Sequence, residues 1–244
     1  MYEPEVVLET HNLNKDYRRT RALSDINIAL DRGRIYGLVG QNGAGKTTLM
    51  RIIAGLSQPT QGSITLFGAS SQPSLVRARR RLGAIIETPA LYPDLSAAQN
   101  LEIERLIRGV ADRSRVKRLL QQVGLDGTGR KRVRDFSLGM RQRLAIAVAL
   151  LADPALLLLD EPINGLDPMG IIQVRQLLTT LAHEHGCTIL ISSHILSELD
   201  QLADEYLFVS DGRIIKQLTA AELSTQHDNL EGYFLELLKE GTPQ

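Results

Sequence analysis

Gly40-Gln-Asn-Gly-Ala-Gly-Lys46-Thr47-Thr48 decides the fold. The stretch is a complete G-x-x-x-x-G-K-[ST] pattern, a loop whose backbone N–H groups cradle phosphates. Glycine is common enough that about one random chain in a hundred would carry such a match. The flanks therefore matter. Ile35 to Val39 before the loop reads as a buried strand, and Leu49, Met50, Ile52, Ile53 and Leu56 after it give a helical apolar face. Strand, glycine loop and helix together aim N–H groups and a helix N-terminus at one anion. In that frame Lys46 reaches the terminal phosphates of a nucleotide and the Thr47 hydroxyl ligates Mg²⁺. Gly40, Asn42, Gly43, Gly45 and Thr48 complete the predicted nucleotide-binding set.

Composition narrows the rest. The 244 residues are enough for one large domain or two subdomains. Lysine plus arginine equals aspartate plus glutamate, 28 each, so no global field attracts nucleic acid. Two local basic runs, 77–81 and 130–134, read as solvated faces or loops. The single Cys187 cannot form an internal disulfide, which fits a reducing compartment. The start, Met-Tyr-Glu-Pro-Glu, lacks the pattern of a signal peptide. No apolar run approaches the roughly 18 residues of a membrane span. A membrane role would need a partner to supply the membrane part.

Along the chain, Ile26, Ile28 and Leu30 alternate as a half-buried strand, and 62–68 is another short strand between glycines. From about 96 the period turns helical. Ser96 and Gln99 fit a capping box ahead of Leu101, Ile103 and Leu106. Val116, Leu119, Leu120 and Val123 form a stripe ended by Gly124, and a third helix follows Ser137 and stops at Pro154. Then come the apolar strand 156–159, a helix opened by Asp167-Pro168 and ending at Gly186, and the strand 188–191. A helix through Leu196, Leu199 and Leu202 follows, then a hairpin about Asp211-Gly212. Apolar strands alternating with helices imply an α/β fold with a parallel sheet covered on both faces. His183 and His185 read as surface residues near a helix end.

Asp160 and Glu161 close the strand 156–159, at the sheet edge where ligands of open α/β folds sit. Asp160 fits a Mg²⁺-organising role, and Glu161 is placed to polarise an attacking water. An ordinary strand-to-turn junction would also put acids there; the upstream loop favours the functional reading.

With these residues in view, the chain resembles the ATP-binding subunits of ABC transporters over nearly its whole length. Phe136-Ser-Leu-Gly-Met-Arg-Gln-Arg143 resembles the signature that sets this family apart from other phosphate-loop ATPases. In the family, two subunits pack head to tail with ATP between them. The resemblance implies that Ser137 and Gly139, at a helix start, bind the γ-phosphate held on the partner's loop; Ser137 also fits a plain N-cap, and both can hold at once. Asn164 to Asp167 resembles the D-loop at the dimer seam, and Asp167 equally fits a helix cap. His194, in Ser-Ser-His after a strand, resembles the switch histidine that contacts the γ-phosphate. Tyr17 matches the aromatic that stacks on adenine, with ordinary core packing as the alternative.

Two positions depart from the general pattern. Glu87 stands where the family usually has glutamine; it keeps an oxygen for Mg²⁺ or the lytic water, but as an anion. A surface acid before a proline turn is its plainer reading. Leu138 replaces a signature glycine. Glutamate in Ile-Glu-Thr-Pro, followed by Tyr-Pro and the Ser-Leu-Gly-Met signature, is similar to the branch of lantibiotic-protection and bacitracin-resistance exporters.

The resemblance thus implies a phosphate-loop (RecA-like) parallel-sheet core with an antiparallel β subdomain and a helical insertion at about 88–152. One ATP-binding domain spans 1–230, and a short C-terminal helix and tail span 231–244. The expected protein is an ATPase using ATP and Mg²⁺, with Glu161, His194 and Glu87 as catalytic residues and Thr47, Asp160 and Glu87 about the metal. It would work as a homodimer or ATPase pair with separate transmembrane permease subunits docked near 87–99, without nucleic acid, at the cytoplasmic face of the membrane. A soluble ABC ATPase acting on ribosomes or DNA, or a nucleotide-binding regulatory subunit, are the rival readings. Chains of the former kind usually carry two ATPase units or a long coiled-coil insertion, and neither is visible here.

Overall fold

A computed structural model describes residues 5–87, 89–227 and 229–240, with the side chains of 226 and 240 aside. Residues 1–4, Thr88 (the first of the expected insertion) and the tail 241–244 lie outside the described residues. In order the elements are β1 (Val6–Tyr17), β2 (Thr20–Asp31), β3 (Ile35–Val39), α1 (Lys46–Ala54), β4 (Gln61–Leu66), α2 (Gln72–Ala78) and β5 (Leu82–Ile85). Next come α3 (Ala97–Ile107), α4 (Ser114–Gln122), α5 (Leu138–Ala149), β6 (Leu156–Asp160), α6 (Pro168–Thr179) and β7 (Thr188–Ser192). The chain continues through α7 (Leu196–Asp200), β8 (Glu205–Ser210), β9 (Arg213–Thr219), α8 (Ala220–Gln226) and α9 (Leu230–Glu240).

The sheets follow from the residue patterns. A six-stranded sheet runs β5-β6-β7-β3-β8-β9, parallel throughout except for β9. Its inner strands are apolar on both sides because both faces are covered. Leu156, Leu158 and Leu190 enter one core with α1 and the separate antiparallel sheet β2-β1-β4. Leu157, Leu159, Ile189 and Ile191 enter the other, with α3 to α6 and α9. Between β5 and β6 stand the three helices α3, α4 and α5. The Ser96–Gln99 capping box forms as the sequence implies. Cys187 is buried, which pushes its thiol up to about 12.

Several local expectations need correction. Leu106 is 62% exposed and Leu101 alone of its stripe is fully inside. α5 ends at Ala149, short of Pro154, and α6 gives way after Thr179 to a π-turn over 180–184. Arg77, Arg80 and Arg81 of the 77–81 basic run are exposed, but Arg79 is half-buried. Its Nε donates to the Ile53 carbonyl at 3.0 Å and its Nη2 to that of Ile52, capping the open end of α1; burial lowers its pKa. His183 is exposed, as the sequence implies, and its Nε2 lies 3.0 Å from a carboxylate oxygen of Asp204.

Candidate functional site

The site lies at the C-terminal edge of the parallel sheet, where β3, β6 and β7 deliver their chain ends side by side. β3 runs into the glycine loop. Gly43 and Gly45 take left-handed backbone, at φ 84° and 110°. A Cβ on Gly40 would come within 2.5 Å of the Val209 carbonyl, so the loop is pressed against the end of β8. Loop and strand ends enclose a cavity of about 220 Å³, lined by Asn42, Gly43, Gly45, Lys46, Thr47, Thr48, Asp160 and Glu161 with Ala22. Eight of these residues are predicted from sequence, and they converge here from two stretches more than 100 positions apart.

Lys46 is 7% exposed, and its Nζ donates to the carbonyls of Gly40 at 2.6 Å and Gln41 at 3.0 Å. Burial lowers its pKa, against the opposing pull of Glu161 and Asp160. A cation stripped of water and held by two neutral carbonyls is primed for a more strongly charged partner. The Thr47 hydroxyl donates to Asp160 at 2.7 Å, joining loop and β6.

Glu161, just after β6, has a left-handed backbone at φ 54°. Its N–H is held by the hydroxyl and the carbonyl of Ser192, at 3.1 and 3.2 Å. Its carboxylate lies 2.6 Å from Nδ1 of His194 and accepts the His194 N–H at 3.2 Å. An acid beside an imidazole, at the edge of the loop cavity, can accept a proton from a water and hold the ring in one orientation. Ser192 is not among the residues predicted for the site. Fully buried, it also donates to the second Asp160 oxygen at 2.6 Å, so one hydroxyl ties Asp160 to Glu161. A serine at the end of a strand that opens with Thr188 gives no distinct signal in the sequence.

The remaining predicted residues sit apart from the cavity lining. Tyr17 is 43% exposed at the end of β1, with Lys15 Nζ 4.7 Å from its ring centre. At that exposure core packing does not describe it. Ser137 caps α5, its hydroxyl accepting the Met140 N–H at 3.2 Å, with Gly139 in the first turn. Asp167 likewise caps α6. Leu138 is 46% exposed. Glu87 is not joined to Thr47 or Asp160; its carboxylate is bound by Arg51 of α1.

Comparisons with known proteins agree with this geometry. The profile of the family described as ABC transporter matches residues 23–164. The chain is 46% identical over 219 residues to the bacitracin transport ATP-binding protein BcrA of Enterococcus faecalis, covering 90% of this chain and 71% of that protein. It is 44% identical over 209 residues to the lantibiotic transport ATP-binding protein SrtF of Streptococcus pyogenes, covering 86% and 89%. Among solved structures, the dimeric post-hydrolysis structure of the ATP-binding cassette MJ0796 bound to ADP and Pi superposes with a TM-score of 0.79 at 25% identity, covering 87% of this chain and 98% of that one.

Proposed function

The chain belongs to the ABC transporter family of ATP-hydrolysing subunits, and from that premise we propose that it is the motor of an exporter that expels a bacitracin-like or lantibiotic peptide to protect the cell. The observation that carries the motor reading is the convergence of Lys46, Thr47, Asp160, Glu161 and His194 on one sheet edge. The cargo reading rests on the named transport roles of the relatives.

In this reading the N–H groups of the loop, from Gly40 through Asn42, Gly43 and Gly45 to Thr48, bind the phosphates, and Lys46 exchanges its carbonyls for phosphate oxygens. Tyr17 stacks on the adenine. Thr47 and Asp160 present only oxygen donors, the set Mg²⁺ accepts together with water and phosphate oxygens. Bound there, the metal would neutralise charge on the phosphates. Glu161 takes a proton from the attacking water, and His194, oriented by Glu161, reads the γ-phosphate. Most of the rate enhancement then comes from positioning and charge stabilisation. Glu87 offers its carboxylate to Mg²⁺ or the lytic water and links the site to the membrane partner.

Ser137 and Gly139 are not part of the cavity lining formed by their own chain's phosphate loop, which suits a second copy supplying them across a dimer. The helix start at α5 is the anion-binding feature. Separate permease subunits would dock at the groove of about 420 Å³ beside Glu87, whose walls include Leu56, Ile86, Pro89, Leu91, Glu104 and Arg108. Leu56, Leu106 and Ile107 are 62–71% exposed, an apolar supply for such a partner. Among the described residues no helix is long and apolar enough to cross a membrane. The chain would sit peripherally at the cytoplasmic face, held there by its partners.

The test is a sensitive host carrying this chain with its neighbouring membrane genes, challenged with bacitracin and a lantibiotic. Wild type should protect and Glu161→Gln should not. Equal sensitivity, with ATPase activity confirmed for wild type, would overturn the cargo; protection by Glu161→Gln would overturn the base.

A further inference from the structure

Glutamate at position 87 creates an electrostatic difficulty. It adds a full negative charge where an amide would add none. The adjoining strand end already carries Asp160 and Glu161, and a nucleotide brings its own phosphates. Lys46 is engaged with the Gly40 and Gln41 carbonyls. Glu87 also holds a left-handed backbone, φ 64°, which is strained for a residue with a side chain. Something must offset the charge and hold the group.

Arg51 is on α1 four residues after Thr47, so the two side chains leave the same face of the helix one turn apart. Its guanidinium donates to Oε1 of Glu87. That bond is the largest influence on Arg51 and raises its pKa; burial opposes it, and the charges of Glu87, Tyr17 and Asp160 add to it. Arg51 therefore lies within reach of the charges of both Glu87 and the Thr47-bound carboxylate of Asp160.

We propose that Arg51 is a positioning residue that acts through Glu87: its guanidinium neutralises the third carboxylate and holds it toward the Thr47 face of α1, so that glutamate can serve at position 87. This rests on the role given to Glu87 under the proposed function. A purely structural pair would behave differently. Both side chains are substantially exposed, 36% and 60%, and pairs of that kind contribute little to folding. Loss of a merely structural pair would act on stability, and its kinetic effect would not depend on residue 87.

The experiment is a double-mutant cycle on the full chain, reading kcat and KM for MgATP. The variants are Arg51→Met, Glu87→Ala and both together, with Arg51→Lys as the conservative replacement. Each single change should lower kcat about 10-fold with KM for ATP within about 2-fold, and the double variant should also lose about 10-fold rather than about 100-fold. Arg51→Lys should recover most of the rate with Glu87 present and should change nothing when combined with Glu87→Ala. Multiplying effects, or an Arg51→Met enzyme at wild-type rate beside a slow Glu87→Ala enzyme, would overturn the inference and leave the role of Glu87 intact. A Glu87→Ala enzyme at the wild-type rate would instead remove the role of Glu87 itself. Should Arg51→Met fold poorly, Arg51→Lys compared with and without Glu87→Ala reads the same coupling.

Discussion

Gly43 and Gly45 form a matched pair on which the reading of the loop can be tried. Both have left-handed backbone, and Gly45, at φ 110° and ψ −1°, is the N-cap of α1. They differ in surroundings. A Cβ on Gly43 meets nothing within 4 Å, whereas one on Gly45 would lie 2.8 Å from the Ala22 carbonyl oxygen and 2.8 Å from Cδ2 of Leu23. Alanine at either position bears the left-handed penalty of about 1–2 kcal/mol. At Gly45 the close contact adds the cost of overpacking, about 1–3 kcal/mol, because one of the two atoms is backbone and cannot swing aside. Gly45→Ala should therefore lose about 2–5 kcal/mol and Gly43→Ala about 1–2 kcal/mol. For a domain of this size each kcal/mol is about 2–4 °C in Tm, so the melts should fall by about 4–20 °C and about 2–8 °C respectively. Calorimetry without nucleotide, paired with urea midpoints at constant slope, measures both. If Gly45→Ala melts as high as Gly43→Ala, the contact with β2 is not what requires glycine at position 45, and the reasoning fails.

Three further outcomes follow from the site and its supports. Glu161→Gln keeps an oxygen to accept the His194 N–H but cannot take up a proton; kcat should fall by about 10²–10⁴ with ATP affinity unchanged in equilibrium binding. Lys46 has its pKa lowered by burial, so between that lowered value and the ordinary lysine value of 10.5 the unfolded chain binds more protons than the folded one. Its contribution to stability should rise as pH climbs from its lowered folded pKa toward 10.5, and urea midpoints of Lys46→Met should lack that alkaline rise. Asn100 is fully buried and exchanges hydrogen bonds with the Tyr92 N–H and the carbonyls of Tyr92 and Ser96. Asn100→Ala leaves those groups unpaired and should cost about 2–4 kcal/mol, with faster hydrogen exchange at 92–96.

The sequence disclosed elements whose residues agree among themselves. The strand before the loop, the Ser96–Gln99 box and the all-leucine β6 each carry apolar period and terminal signals together. β1 was silent because its register slips repeatedly between Thr10 and Asp16, which breaks the alternation that marks a strand. β5 has four residues, too few for a period, and α2 and α8 are short helices held by neighbours and caps. At the site, Lys46, Thr47, Asp160 and Glu161 were legible because their spacing is fixed by the loop and strand that bear them. Ser192 and Arg51 were not. Each gains its meaning from a partner on another element, and one-dimensional patterns carry no such pairing.

The alternation of leucines along β6 has a consequence for how this chain can change over evolutionary time. Leu156 and Leu158 serve the core of the phosphate loop, while Leu157 and Leu159 serve the core of the three inserted helices. The sheet is thus a partition between two packing problems that share a wall but few side chains. Sequence drift among α3, α4 and α5 is felt in one compartment, and the residues around α1 answer to the other. A lineage can rework the helices to suit a new partner while the fuel-handling half stays under its own separate selection.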